Sequence, residues 1–303
     1  MISASNISRI AVIGSSSMVG SRFCELWDKP ANLITADLNG SPAVDITDNT
    51  SVSNLFNSYD FSVCILFSAF TGVDEAEKQR DDKNGLCWKI NVDGVKNIAQ
   101  NCRQKNIKLI FISTDFVFDG EFGPYGEDDA VGENLEKTSW YGITKIEGEK
   151  IVAANLQDYL ILRIAYPYRA NFPAKDDLLR KTLKAYRDGD LYPMFNDQMI
   201  TPTFIDDVAK GVKLLLEKDQ KGIFHLASPA VVTPYELAKK LVKAFGGDPS
   251  KVKRGSIKEF LKTGNKTPRP TKGGLKVDKI IKLGFTPTGW ELGINEIYKQ
   301  IEK

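Results

Sequence analysis

The chain has 303 residues, 42% of them hydrophobic and 26% charged, which is the composition of a folded globular protein long enough for two domains or lobes. A net charge of +2 and an isoelectric point near 8.2 are too balanced for nucleic acid or an anionic membrane as the main partner. No apolar segment approaches the roughly 20 residues that span a bilayer, and Met1 to Arg9 lacks a signal-peptide pattern, so a cytoplasmic protein is expected.

Arg9 to Ile13 is a short apolar run of the kind that forms a buried parallel strand. It ends at Gly14-Ser15-Ser16-Ser17-Met18-Val19-Gly20, and Ser21 to Trp27 then has the pattern of an amphipathic helix. A glycine turn between strand and helix lets backbone amides approach a phosphate closely. The middle glycine of the usual pattern is replaced by Ser17. Leu33 to Asp37 reads as the second strand, and its terminal Asp37 stands where a carboxylate accepts hydrogen bonds from an adenosine ribose. Because Asp37 would repel a 2′-phosphate, it favours NAD slightly over NADP. Ala43 to Asp48 is expected to be a third short strand entering a helix, with Asp45 or Ile46 beside the adenine or Asp48 as an N-cap.

Phe61 to Phe67 is the fourth expected strand. The small, polar loop Ser68 to Asp74 follows it, then a helical stretch holding Asn91, Ile98 and Cys102. Lys108 to Ile112 is the fifth strand and ends at Ser113-Thr114-Asp115. Alternating strands and helices through Ile164 specify an α/β fold with a doubly wound parallel sheet, Rossmann-like. Gly14, Asp37, Ser68 and Thr114 all fall at expected carboxyl ends of strands, where ligands of such sheets bind.

Ser139-Trp140-Tyr141-Gly142-Ile143-Thr144-Lys145 opens a helix on which Tyr141 and Lys145, four apart, share a face. A phenol titrates near 10 when unperturbed. A nearby ammonium favours the phenolate, so such a pair suits proton transfer in a carbonyl–alcohol interconversion. The same spacing recurs at Tyr235 and Lys239, and there no strand-end Thr or cofactor loop accompanies it.

From Ala165 the alternation breaks. Helices are expected around Asp177 to Asp188, Ile205 to Leu216, Pro234 to Phe245 and Thr288 to Ile301, with a strand at Gly222 to Leu226. The expected division is a dinucleotide-binding domain of residues 1–164 plus about 201–227, and a smaller, irregular substrate-binding lobe of about 165–200 plus 228–303. Cys24, Cys64, Cys87 and Cys102 fit neither a zinc spacing nor a disulfide framework, and His225 reads as structural, so no metal is expected.

Several ordered motifs carry a family resemblance. They are Gly14 to Gly20, Phe70-Thr71-Gly72-Val73-Asp74-Glu75-Ala76-Glu77, Asn91-Val92-Asp93-Gly94, Ser113 to Gly120, Tyr141 to Lys145 with Gly148-Glu149, Arg163, Thr201 to Asp207, Phe224 to Ala227, and Arg269-Pro270. On these the chain resembles an extended short-chain dehydrogenase/reductase, and within that superfamily the dTDP-4-dehydrorhamnose reductase family. The resemblance implies NAD(P)H-dependent reduction of a 4-keto group on a nucleotide-linked deoxysugar, with Tyr141 as proton donor, Lys145 lowering its pKa, and Thr114 bonding the carbonyl oxygen. It implies cofactor contacts at Gly14, Ser16, Ser17, Met18, Val19, Gly20, Asp37, Asp45, Ile46, Phe67, Ser68, Ala69, Asn91, Tyr141, Lys145 and Tyr166. Substrate contacts are implied at Phe70, Thr71, Val73, Thr114, Asp115, Phe116 and Arg269. Related dehydratases carry an acid where this chain has Phe116, which favours simple reduction. The partner is thus a nucleotide-sugar, with no nucleic acid or membrane; a homodimer stays open. Two alternatives remain. One is a non-catalytic dinucleotide-binding regulatory subunit, resembling that of methionine adenosyltransferase. The other is a different NAD(P)-dependent sugar epimerase or reductase.

Overall fold

A computed structural model describes residues 9–264 and 266–301. The first eight residues, and with them most of the stretch read for a signal peptide, lie outside the described part. The chain opens with β1 (Ile10–Ile13), α1 (Met18–Leu26), β2 (Leu33–Ala36), α2 (Asn49–Ser58), β3 (Val63–Leu66) and α3 (Val73–Glu77). A continuous helical stretch follows: α4 (Leu86–Trp88), a π-helical segment Lys89–Gly94, and α5 (Val95–Lys105). Then come β4 (Lys108–Thr114), α6 (Trp140–Asn155), β5 (Tyr159–Ile164), α7 (Leu178–Asp188) and β6 (Met194–Phe195). The last part holds α8 (Asp206–Glu217), β7 (Gly222–His225), α9 (Pro234–Ala244), β8 (Arg254–Gly255), α10 (Ile257–Lys262), α11 (Asp278–Lys282) and α12 (Trp290–Ile301).

The main sheet has six strands in the order β2-β1-β3-β4-β5-β7, every pair parallel. Strands β1 and β3 are buried at every position, as expected for strands covered by helices on both faces. One apolar layer lies on each face. On one, Val12, Ile65, Ile110 and Leu162 pack with α1 and α8 residues such as Phe23 and Val212. On the other, Ala11, Cys64, Leu109 and Phe111 pack with Val52, Ile98 and Val152. Each fully buried Val, Leu or Ile is worth about 1.5–3 kcal/mol. A third cluster joins Tyr168, Leu183, Phe204, Leu237 and Ile294 outside the sheet. The strand order reverses between β1 and β3, so the crevice for a ligand opens at their carboxyl ends.

Two sequence expectations need correction. Helix α1 starts at Met18, three residues before the expected Ser21, because Ser17 caps it by accepting from the Gly20 amide at 3.1 Å. The expected strand at Ala43 to Asp48 does not form: only Ala43 bridges to Asp37. Asp45 turns its carboxylate back onto the Thr47 amide at 2.9 Å and hydroxyl at 2.8 Å, a local turn that competes with strand extension. Asp48 is indeed the N-cap of α2, accepting from Thr50 at 2.8 Å. The four cysteines are free, and Cys64, Cys87 and Cys102 are buried. Among the described residues no helix is long and apolar enough to cross a membrane, and no cluster of His, Cys, Asp and Glu could hold a metal ion.

Candidate active site

The glycine turn lies on β1 and β3 at the switch point. Gly14 has φ +85°, and a Cβ there would come within 2.5 Å of the Ser68 amide nitrogen. Only glycine lets this turn lie bare against the Phe67–Ser68 backbone. The Ser17 cap takes the Gly20 amide. The amides of Met18 and Val19 have no intrahelical acceptor by position, and the positive end of α1 lies with them. Asp37 stands at the end of β2, where its Oδ2 accepts from the Ser16 amide at 2.9 Å and the Ser16 hydroxyl at 2.7 Å. The Leu38 amide donates to Oδ1 at 2.8 Å. A bare glycine floor, free helix-terminal amides and a held carboxylate fit the diphosphate and adenosine ribose of a dinucleotide.

The β4 end and the start of α6 meet beside this crevice. Thr114 ends β4; its Oγ1 accepts from the Phe116 amide at 3.2 Å and donates to Asp115 Oδ1 at 3.3 Å. Helix α6 is capped by Ser139, which accepts from Gly142 at 3.2 Å. It is also capped by Glu77 of α3, whose Oε2 accepts from the Trp140 amide at 2.8 Å. A Cβ on Gly142 would sit 2.2 Å from the Phe116 carbonyl oxygen, so this glycine sets how closely Tyr141 approaches Thr114. Tyr141 is 9% exposed, in an apolar surround of Phe116, Trp140, Cys87, Phe70 and Tyr166. Its ring meets the Phe116 ring edge-on at 5.9 Å.

Lys145 is 2% exposed; its Nζ donates to the Ile112 carbonyl at 2.8 Å and lies 3.9 Å from the Phe111 ring centroid. Burial pulls its pKa down to about 7, against the attraction of Glu149 and Cys87. Burial pushes the Tyr141 phenol well above its ordinary value; Thr114 opposes this, while Asp115 and Cys87 add to it. The expected lowering of the phenol pKa by Lys145 is therefore not a property of the protein alone.

Asp115 is 2% exposed, and its Oδ2 has no hydrogen-bond partner. Burial raises this carboxyl to about 7 against the Thr114 hydrogen bond. Its folded value lies above the unfolded value of about 3.9. Its contribution to stability is complete below the unfolded value and disappears as pH rises through about 7. Asp115→Asn should therefore gain stability relative to the parent as pH rises from about 5 to about 7, by roughly 1.4 kcal/mol per pH unit. Urea unfolding at several pH values measures this. A difference independent of pH would mean that Asp115 is ionised in the fold.

Other expected site residues have hydrogen-bond partners within the protein. Asn91, 1% exposed in the π-helical segment, was expected to touch the cofactor. Its Oδ1 accepts from the Phe70 amide at 2.9 Å, and its Nδ2 donates to the Phe70 carbonyl and Thr144 Oγ1, both at 3.0 Å. It anchors the loop after β3 to α6. Tyr166 has a left-handed backbone with φ 41°, and its hydroxyl accepts from Gln198 Nε2 at 3.1 Å. Gln198 also donates to the Pro270 carbonyl at 3.1 Å, tying Tyr166 to the C-terminal strap. Arg269 on that strap donates to Asp74 at 2.7 and 2.8 Å, and Lys175 donates to Thr71 at 3.0 Å. Both contacts cross the crevice between residues about a hundred or more apart, so no local pattern announces them. Tyr235 and Lys239 lie on α9, where the Lys239 Nζ sits 5.5 Å from the Tyr235 ring and Arg254 packs on the same ring at 5.1 Å.

Known proteins share this architecture. The chain is 32% identical over 252 residues to a dTDP-4-dehydrorhamnose reductase of Streptomyces griseus, covering 81% of this chain and 79% of that protein. A Clostridium acetobutylicum dTDP-4-dehydrorhamnose reductase structure superposes with a TM-score of 0.82 at 27% identity, over 97% of this chain and 100% of the other. The Bacillus anthracis dTDP-4-dehydrorhamnose reductase structure in complex with NADP gives 0.84 at 23% identity, over 97% and 99% of the two chains. The family model described as the RmlD substrate binding domain matches residues 8–303, and the chain belongs to that family.

Proposed function

We propose that this chain is an NAD(P)H-dependent reductase of a 4-keto group on a dTDP-linked deoxysugar. Relatives of that name and the family match support the reaction class. The observation that carries it to these residues is the meeting of the Thr114 and Tyr141 side chains at the carboxyl end of the sheet, beside a glycine turn that fits a dinucleotide. A nicotinamide held at this turn would supply the hydride to the carbonyl carbon.

The protein handles the oxygen. Thr114 donates a hydrogen bond to the carbonyl oxygen as negative charge develops there. Tyr141 gives its proton to that oxygen, forming the alcohol, and is reprotonated from solvent. A phenol held above its ordinary pKa is fully protonated before the step. The Lys145 ammonium, present below about pH 7, offsets the charge left on the phenolate. Phe116 places a hydrocarbon ring against Tyr141 where elimination of water would need a second acid. Mass analysis of the product tests this: two hydrogens gained with the nucleotide linkage intact is expected, and loss of water would overturn simple reduction.

The cofactor reading is NADH slightly before NADPH. Asp37 is held by Ser16 and Leu38 with its charge at the ribose position, where a 2′-phosphate would meet like charge. Asp37→Ala should weaken NADH binding about tenfold and NADPH binding less. Titration of both cofactors by fluorescence measures the ratio; a greater loss for NADPH would reverse the assignment.

A further inference from the structure

We infer that Glu149 is a positioning residue for the reduction: it pins the catalytic end of β4 to α6 and supplies the negative charge that Lys145 faces. This rests on the reductase reading for its purpose, and on geometry for its substance. Glu149 lies one turn beyond Lys145 on α6, and both reach back to β4. Lys145 Nζ takes the Ile112 carbonyl at 2.8 Å, and Glu149 Oε1 accepts from the hydroxyl of the next residue, Ser113, at 2.5 Å. The residue after that is Thr114. Two consecutive side-chain contacts thus set the distance between the strand that carries Thr114 and the helix that carries Tyr141.

Glu149 is itself held from the far side. Arg163 of β5, 1% exposed, donates from Nε to Oε1 at 2.9 Å and from Nη2 to Oε2 at 2.7 Å. Arg163 Nη1 lies 3.3 Å from His225 Nε2, and His225 Nδ1 lies 3.0 Å from the Lys276 carbonyl. A carbonyl only accepts, so Nδ1 carries the proton and Nε2 accepts from Arg163. Burial and Arg163 hold His225 neutral, with a pKa near 3. The buried chain therefore runs from the strand end at Ser113, through Glu149, Arg163 and His225, to the foot of the C-terminal strap.

Charge around Lys145 is sparse. Glu149 on its own helix and Cys87 on α4 are the acids that act on its ammonium. Asp115 follows β4 with a carboxyl raised by burial, and Asn91 of the π-helical segment is neutral. Glu77 of α3 is paired with Arg80, and the charged residues of α5, Lys96, Arg103 and Lys105, are exposed. Arg163 stands behind Glu149 and compensates part of its charge. Glu149, held by Ser113 and Arg163, is thus the carboxylate whose attraction opposes the effect of burial on Lys145.

The test reads Lys145 in the cofactor-free 303-residue chain, by the NMR shift of its Cε group against pH in lysine-labelled material, assigned by its loss in Lys145→Arg. The wild type should titrate near 7. Glu149→Gln should weaken proton affinity about tenfold or more. Glu149→Gln/Arg163→Met, which removes both buried charges, should titrate between the single variant and the wild type, about threefold or more below the latter. It also serves if the single variant fails to fold. Ser113→Ala keeps the charge and should leave the midpoint within about twofold of wild type. A midpoint unmoved in the folded Glu149→Gln protein, or in the double variant if only that folds, overturns the assignment. A protein that titrates this way yet reduces no ketone would instead sink the reductase reading and leave this one standing.

Discussion

Tyr141→Phe is expected to lower turnover about 10²–10⁴-fold while leaving cofactor affinity within about twofold. The substitution removes one oxygen from a side chain that is 9% exposed and already in an apolar surround, so the ring still packs against Phe116. The function removed, in the proposed reaction, is proton donation to the new alkoxide. Thr114 cannot replace it, because a hydroxyl of ordinary acidity can polarise the carbonyl but not surrender its proton cheaply. Cofactor affinity is read separately by equilibrium titration. Tyr235→Phe is the internal control: that ring lies on α9 under Lys239 and Arg254, and its hydroxyl should be kinetically silent. Full turnover in Tyr141→Phe, or an equal loss in Tyr235→Phe, would move the proton donor elsewhere.

Gly14→Ala should damage both the fold and the turn that fits a dinucleotide. The backbone there has φ +85°, which costs an L-residue roughly 1–2 kcal/mol. The added Cβ would also lie 2.5 Å from the Ser68 amide nitrogen and 2.9 Å from the Phe67 carbonyl carbon. Both obstacles are backbone, so neither can swing aside, and overpacking adds roughly 1–3 kcal/mol. The turn and the β3 end must separate, which displaces the Met18 and Val19 amides from where the proposed reading puts the diphosphate. A loss of about 2–5 kcal/mol in urea unfolding is expected, with cofactor affinity down about a hundredfold or more. Normal dinucleotide affinity in a destabilised Gly14→Ala protein would show that the turn is a structural corner only.

The parts legible in the sequence are those governed by local pattern. Apolar runs between helical periods gave the parallel strands, and Gly14 with Gly20 marked the turn between β1 and α1. Position then separated Tyr141 from Tyr235, since only the former follows a strand ending in Thr114. The illegible parts depend on distant residues or on burial. Ala43 to Asp48 looked like a strand, yet the Asp45 carboxylate captures Thr47 and ends it. Asn91 is expected at the site from the resemblance, and that its amide holds Phe70 and Thr144 is set by the fold of α4 through α5. The Arg269–Asp74 contact joins residues 195 apart. Spacing suggested a lysine that acidifies a tyrosine; the folded protein instead buries both, raising the phenol and drawing the ammonium down to about 7. Position along the chain shows which groups meet, whereas burial decides their charge.

The most direct test of the central claim is nicotinamide absorbance on mixing the protein with NADH or NADPH and a panel of 4-keto-deoxysugar nucleotides. Cofactor oxidation with at least one dTDP-linked ketone is expected, at a rate lowered about 10²–10⁴-fold in Tyr141→Phe. Bound cofactor with unchanged absorbance across the whole panel would contradict that claim, and would favour a dinucleotide-binding protein that performs no reduction.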